Sequence, residues 1–191
     1  MSTAVRLSIL IPTLPSRNEF LNRLLDLLRP LAAPYGEEIE IRTLLTDSQP
    51  SVGVKRQQLL QEAKGQYIAF IDDDDMVDPL YFERIMPLLD GVNDCVGFRG
   101  IYTVDGQNPG VFIHTLKCDK WHERDGIYYR CPNHLNPVKR EIALAAGFPD
   151  QRFGEDQAYS MAVRPFLKQE AMVDDPPLYL YQFRSVKPDV Q

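Results

Sequence analysis

Gly65-Gln-Tyr-Ile-Ala-Phe-Ile-Asp-Asp-Asp-Asp75 joins a short apolar run to four consecutive carboxylates. Residues 67–71 are too few and too uniformly apolar for an amphipathic helix, so they read as a strand buried on both faces. Such strands belong to parallel sheets covered by helices on each side. Ligands bind these sheets beyond the carboxyl ends of the strands, which is where Asp72, Asp73, Asp74 and Asp75 fall. Like charges side by side repel unless a cation or hydrogen-bond donors compensate. Mg²⁺ or Mn²⁺, held by one or two carboxylates together with substrate phosphates, is the natural compensation. A solvated acidic loop that caps the following helix is the plainer alternative.

Working outward, the same alternation recurs. Residues 5–11 form an apolar strand closed by Pro12. Asn18 caps a helix with apolar residues at helical spacing, ended by Pro30 and Pro34. Residues 39–45 make a second strand and 54–64 a second helix, with Gly65 as its C-cap. A third helix, 79–89, begins with Pro at its first position. Strand and helix thus alternate three times, the signature of an α/β fold with a mainly parallel sheet. After Asn93 the character changes. Residues 96–104 and 111–116 flank Asp105-Gly106 as an antiparallel excursion, helices follow at 141–146 and 156–167, and an aromatic strand spans 178–183. We expect one domain over 1–191, with an α/β half to about residue 92 suited to holding a nucleotide, a mixed half over about 93–184 suited to holding something else, and a tail at 185–191.

Composition narrows the class. The chain has 191 residues, 21 Lys+Arg against 27 Asp+Glu and a net charge of −6, with 44% hydrophobic residues. That excludes disordered and fibrous readings, and it argues against stable nucleic-acid binding through a basic face. No apolar run approaches the ~18 residues of a membrane span. The amino terminus lacks a basic region followed by a long apolar stretch, which predicts a cytoplasmic protein. Cys95, Cys118 and Cys131 form no CxxC pair and read as reduced structural thiols.

Further positions carry chemistry. Lys55 and Arg56 near the start of the second helix suit a phosphate site, and an exposed basic pair on a helix is the plainer alternative. Glu155-Asp156 opens a helix; simple capping explains it, and so does a general base. Taken together, Ser8-Ile-Leu-Ile-Pro-Thr13, Gly53-Val-Lys-Arg-Gln-Gln-Leu-Leu60, the 65–75 block, Pro137-Val-Lys-Arg-Glu-Ile142 and Phe153-Gly-Glu-Asp-Gln157 resemble the family 2 glycosyltransferases of the GT-A fold. The resemblance covers about residues 5–164. It implies a Rossmann-like three-layer sandwich and a metal-dependent, inverting transfer from a nucleotide-diphospho-sugar, a UDP-sugar first, to an acceptor hydroxyl.

By that likeness Asp72 and Asp73 contact the ribose or metal, Asp74 is the first choice of metal ligand with Asp72, and Asp75 instead caps the next helix. Thr13, Arg17, Asp47 and Arg56 fall where the family contacts the nucleotide, although the usual Asp-Gly-Ser turn is here Thr46-Asp-Ser-Gln-Pro50. Asp156 takes the place of the general base, beside Glu155. Inversion needs the acceptor hydroxyl deprotonated as it attacks, and a carboxylate does this. Many relatives carry a His near the carboxyl terminus, where this chain has Tyr179-Leu-Tyr-Gln-Phe183. His134 and Trp121 are candidates for the acceptor side. Nucleotidyl transfer is the competing enzyme class, although Thr13-Leu-Pro-Ser-Arg17 lacks the Gly-rich loop it commonly uses. A non-catalytic nucleotide- or glycan-binding module of the same fold is the third reading.

Overall fold

The structure is a computed structural model that describes residues 4–47 and 49–185. Most of the tail expected at 185–191 therefore lies outside the described residues. Strand β1 (Leu7–Thr13) is flanked by β2 (Ile39–Leu45) and β3 (Tyr67–Phe70), both parallel to it. Helix α1 (Asn18–Ala32) buries Leu21, Leu24, Leu25 and Leu28 on one face of this sheet, against Leu7, Ile9 and Ile11. Each fully buried Leu contributes about 1.5–3 kcal/mol. The opposite face, carrying Leu10, Ile68 and Phe70, is covered by α2 (Val52–Glu62), α4 (Arg140–Ala146) and α5 (Glu155–Val163). A short helix, α3 (Tyr81–Ile85), joins α1 on the first face. The result is the expected three-layer α/β sandwich.

Beyond β3 the sheet becomes mixed. β9 (Val138–Lys139) runs antiparallel between β3 and β5 (Cys95–Val104). β5 then pairs with β6 (Gln107–His114), which is followed in the sheet by β8 (Ile127–Arg130) and β7 (His122–Arg124). β10 (Glu170–Val173) and β11 (Tyr179–Phe183) both run parallel to β5, and β11 also holds the two-residue β4 (Met76–Val77). Asp105 (φ 50°) and Gly106 (φ 74°) form the expected turn between β5 and β6. Asp125-Gly126 repeats that turn between β7 and β8, with φ 54° and 74°. No helix among the described residues is long and apolar enough to cross a membrane.

Several boundaries differ from the sequence reading. Pro12 does not close β1, which continues to Thr13 beside Leu45. Leu10 C=O accepts from Ile71 N–H at 3.2 Å, so Pro12, two residues on, turns its missing donor toward the side where β3 has already ended. Asn18 is helical rather than a cap, because a 3₁₀ turn at Pro15–Arg17 precedes it. Pro30 lies inside α1, in its last turn. Helix α2 starts two residues earlier than expected, capped by Ser51 Oγ accepting from Val54 N–H at 3.3 Å. Gly65 is not the helix cap. Its N–H donates to Ser8 Oγ at 2.7 Å, and a Cβ there would lie 2.6 Å from Ser8 N. Pro79 precedes the third helix rather than starting it.

Candidate active site

The chain leaves β3 into a turn in which Asp75 N–H donates to Asp72 C=O at 3.0 Å. This aims the four carboxylates in different directions and gives each its own partners. Asp72 Oδ1 accepts from Arg56 Nη2 at 2.8 Å, and Oδ2 lies 3.6 Å from His134 Nε2. Asp73 accepts from Thr13 Oγ1 at 2.5 Å and from Arg17 Nε at 2.8 Å. The same guanidinium reaches Asp74 Oδ1 at 2.8 Å. Asp75 accepts from Tyr179 O–H at 2.8 Å and Gln182 N–H at 2.9 Å, so it ties β11 to the turn and does not cap the next helix. The compensation that the sequence demanded thus comes in large part from two arginines and a tyrosine of this chain.

The environments push these groups apart. At Asp72 burial opposes ionisation, but the charge of Arg56 and the contact with His134 prevail and hold the carboxyl well below the usual range. At Asp73 burial prevails over Arg17 and Thr13, and the carboxyl sits above its ordinary value. Burial, with the charge of Asp72 beside it, raises Asp75 strongly. One turn therefore holds an anion, Asp72, and a carboxyl biased toward its neutral form, Asp75.

Arg56 sits 5.3 Å over the Phe70 ring and reaches a second acid, with Nε 3.4 Å from Glu155 Oε1. Gly154, at φ 75°, brings the chain into α5, a left-handed conformation that favours glycine. Glu155 is buried at the helix start and engaged by Arg56. Asp156, the next residue, lines the cleft half-buried and accepts no hydrogen bond among the described residues. Of the two acids, Glu155 is held by Arg56, while Asp156 feels the charge of the same guanidinium but carries no hydrogen bond among the described residues.

The cleft has a volume of about 620 Å³. Thr13, Arg17, Arg56, Asp72, Asp73 and Asp74 line one side, and His134, Glu155 and Asp156 also face it. Asp47 and Trp121 do not line it. Asp47 reaches the site through its backbone, whose C=O accepts from Lys55 Nζ at 2.5 Å. Trp121 lies under the guanidinium of Arg130, 4.6 Å from the ring centroid, and Arg130 is the residue that faces the cleft. His114, Arg130 and Arg184 also line the cleft, and no local sequence signal marks them, because their place depends on how distant strands come together. Tyr179, in the segment where many relatives carry a His, bonds Asp75 instead of facing the cleft.

Among the described residues no group of three His, Cys, Asp or Glu gathers as a metal cage. Asp74 keeps 22% of its side-chain surface open and presents a hard oxygen to the cleft. Alone or with Asp72 it fits a cation that takes its other ligands from phosphate and water, as Mg²⁺ commonly does.

Residues 22–159 match the family described as Glycosyl transferase family 2. Among solved structures, S. aureus TarS 1-349 is similar in fold: 13% identity, TM-score 0.66, covering 93% of this chain and 60% of that one. The same protein in complex with UDP-GlcNAc gives 13% identity and TM-score 0.67 over 96% and 60% of the two chains. A197 from STIV is 16% identical with TM-score 0.53, covering 89% of this chain and 82% of that one. The chain thus spans about 60% of the TarS 1-349 structures. No curated protein sequence matches it.

Proposed function

The chain belongs to glycosyl transferase family 2, and from that premise we propose that it moves a sugar from a nucleotide-diphospho-sugar to an acceptor hydroxyl with inversion. The observation that carries the proposal is Asp156: a carboxylate at the start of α5, free of hydrogen bonds among the described residues and open to the cleft that Asp72, Asp73 and Asp74 border. As general base it takes the proton of the acceptor hydroxyl as that oxygen attacks the anomeric carbon. Glu155 and Arg56 position it by anchoring the first turn of α5 to Asp72.

Residues up to about 92 hold the nucleotide, with Thr13, Arg17, Arg56, Asp72 and Asp73 around it and Asp47 behind them through its backbone contact with Lys55, and those over about 93–184 hold the acceptor. The TarS 1-349 complex with UDP-GlcNAc supports a uridine nucleotide sugar as donor. Asp74, with Asp72, would hold Mn²⁺ or Mg²⁺, which when bound supplies Lewis-acid stabilisation of the leaving diphosphate. His134, 5% exposed with neither ring nitrogen hydrogen-bonded, is left to orient a substrate group beside Asp72.

The test is Asp156→Asn, assayed with UDP-sugars against a panel of acceptors. Transfer is expected to fall by about 10²–10⁴-fold, the usual contribution of a general base, while UDP affinity stays within about twofold. Normal transfer by the variant refutes the base assignment. Pyrophosphate in place of a nucleoside diphosphate among the products moves the chain to nucleotidyl transfer.

A further inference from the structure

We infer that His114 and Arg130 form an acceptor subsite that selects a sugar bearing an anionic group, a phosphate or a carboxylate. The inference rests on the glycosyl-transfer reading and names the acceptor class that reading leaves open. His114 ends β6 and Arg130 ends β8, and the two are register partners on adjacent parallel strands, both facing the cleft. Phe112 and Tyr128, one pair back on the same face, line it too.

The chemistry of His114 is fixed by its neighbours. Its Nδ1 lies 2.9 Å from Asn136 Oδ1. The Asn136 amide cannot be turned over, because Oδ1 also accepts from Asn133 N–H at 3.0 Å and Nδ2 donates to Val96 C=O at 2.9 Å. Nδ1 therefore carries the proton, and Nε2 keeps a bare lone pair. Burial and the nearby Arg130 push the imidazole down to about 3, so it stays neutral. Nε2 is buried and has no partner, on a residue only 1% exposed. An unpaired buried acceptor costs about 1–3 kcal/mol, and a ligand O–H in the cleft would remove that cost.

Arg130 supplies the second contact. Its guanidinium is held over the Trp121 ring rather than by a carboxylate, and it forms no ion pair among the described residues. Arg17 and Arg56, by contrast, are each engaged by two acids. In a chain of net charge −6, a half-buried cation facing the cleft without an anion is suited to one carried by the ligand. Tyr102 and Tyr128, packed edge to face and lining the same cleft, offer aromatic surface to a sugar.

The test is calorimetry on the full chain saturated with UDP and Mn²⁺, titrated with glucose, glucose 6-phosphate, glucuronate and inorganic phosphate. Glucose 6-phosphate or glucuronate, or both, should bind at least tenfold more tightly than glucose, the preferred one identifying the anion. Inorganic phosphate should bind at least tenfold more weakly than the preferred sugar. Arg130→Gln should abolish the preference, and Arg130→Lys should restore part of it. His114→Phe should weaken the neutral and anionic sugars alike, leaving their ratio unchanged. Equal binding of glucose and its anionic forms overturns the proposal, as does no binding of any sugar, phosphate binding as tightly as the sugar anion, or a preference that survives Arg130→Gln. A separate titration with UDP alone tests the donor site, so failure there is distinguishable from failure here.

Discussion

Replacing Arg56 with Met would remove the cation that two acids share while keeping much of the side chain's length against Phe70. The side chains of Arg56, Glu155 and Asp72 are 4%, 9% and 29% exposed. Breaking a buried ion pair by removing one partner costs about 3–5 kcal/mol. Because the Asp72 end is partly open, the lower figure applies, about 3 kcal/mol. In a chain of this size, 1 kcal/mol shifts the midpoint of thermal unfolding by about 2–4 °C, so a fall of about 6–12 °C is expected at pH 7.

The pH dependence sharpens this prediction. Asp72 is held below its unfolded value, so the stability it confers is present above about pH 3.9 and is lost only as the pH falls through its lower folded value. Without Arg56, burial acts on Asp72 without its main opposition, its pKa rises, and acidification relieves the penalty. Urea denaturation of both proteins at pH 7 and pH 5 is the assay, and the gap should narrow at pH 5. A loss under about 1 kcal/mol at pH 7, or a gap that is constant with pH, would refute the reasoning.

Three other perturbations probe separate links. Asp74→Ala should weaken UDP binding in the presence of Mn²⁺ by tenfold or more and leave binding without metal nearly unchanged; equal affinities with and without metal in the parent chain would count against the metal role. Asp75 has a folded pKa above its unfolded one, so its ionisation penalises the fold increasingly as the pH rises. Asp75→Asn should therefore unfold at a higher temperature than the parent at pH 8, with the advantage gone at pH 4. Gly→Ala inside a helix usually gains up to about 1 kcal/mol. At Gly53 the new Cβ would lie 1.9 Å from Pro149 C=O, so Gly53→Ala should destabilise by about 1–3 kcal/mol and expose the 149–151 loop to limited proteolysis.

What could be read in advance was what the chain writes locally. The 65–75 block announced a buried strand and a site at its end, because apolar patterning and a charge run are both contiguous. Prolines misled where context overrode them: Pro12 stays in β1 because its missing donor faces a side without a partner, and Pro30 falls where α1 is already ending. Asp125-Gly126 carried the same turn signal as Asp105-Gly106 and could have been read as a hairpin. The compensation of the aspartates could not, since Arg17 lies 56 positions from Asp73 and Glu155 lies 99 from Arg56. Nor could the pairing of His114 with Arg130, which exists only once β6 and β8 are in register.

The insertion of β9 between β3 and β5 also governs how the molecule is made. During synthesis β1, β2 and β3 can pair as soon as they emerge, but Ile68 meets Val138 only about seventy residues later. Until then β3 presents an open edge of unpaired N–H and C=O groups between apolar side chains, the kind that recruits other nascent chains. A fragment cut after α3 would keep that edge permanently, which makes it a poor candidate for an independently stable unit. Loop closure over such separations also slows folding, so the sheet of this chain is completed only after the Ile68–Val138 pairing has formed.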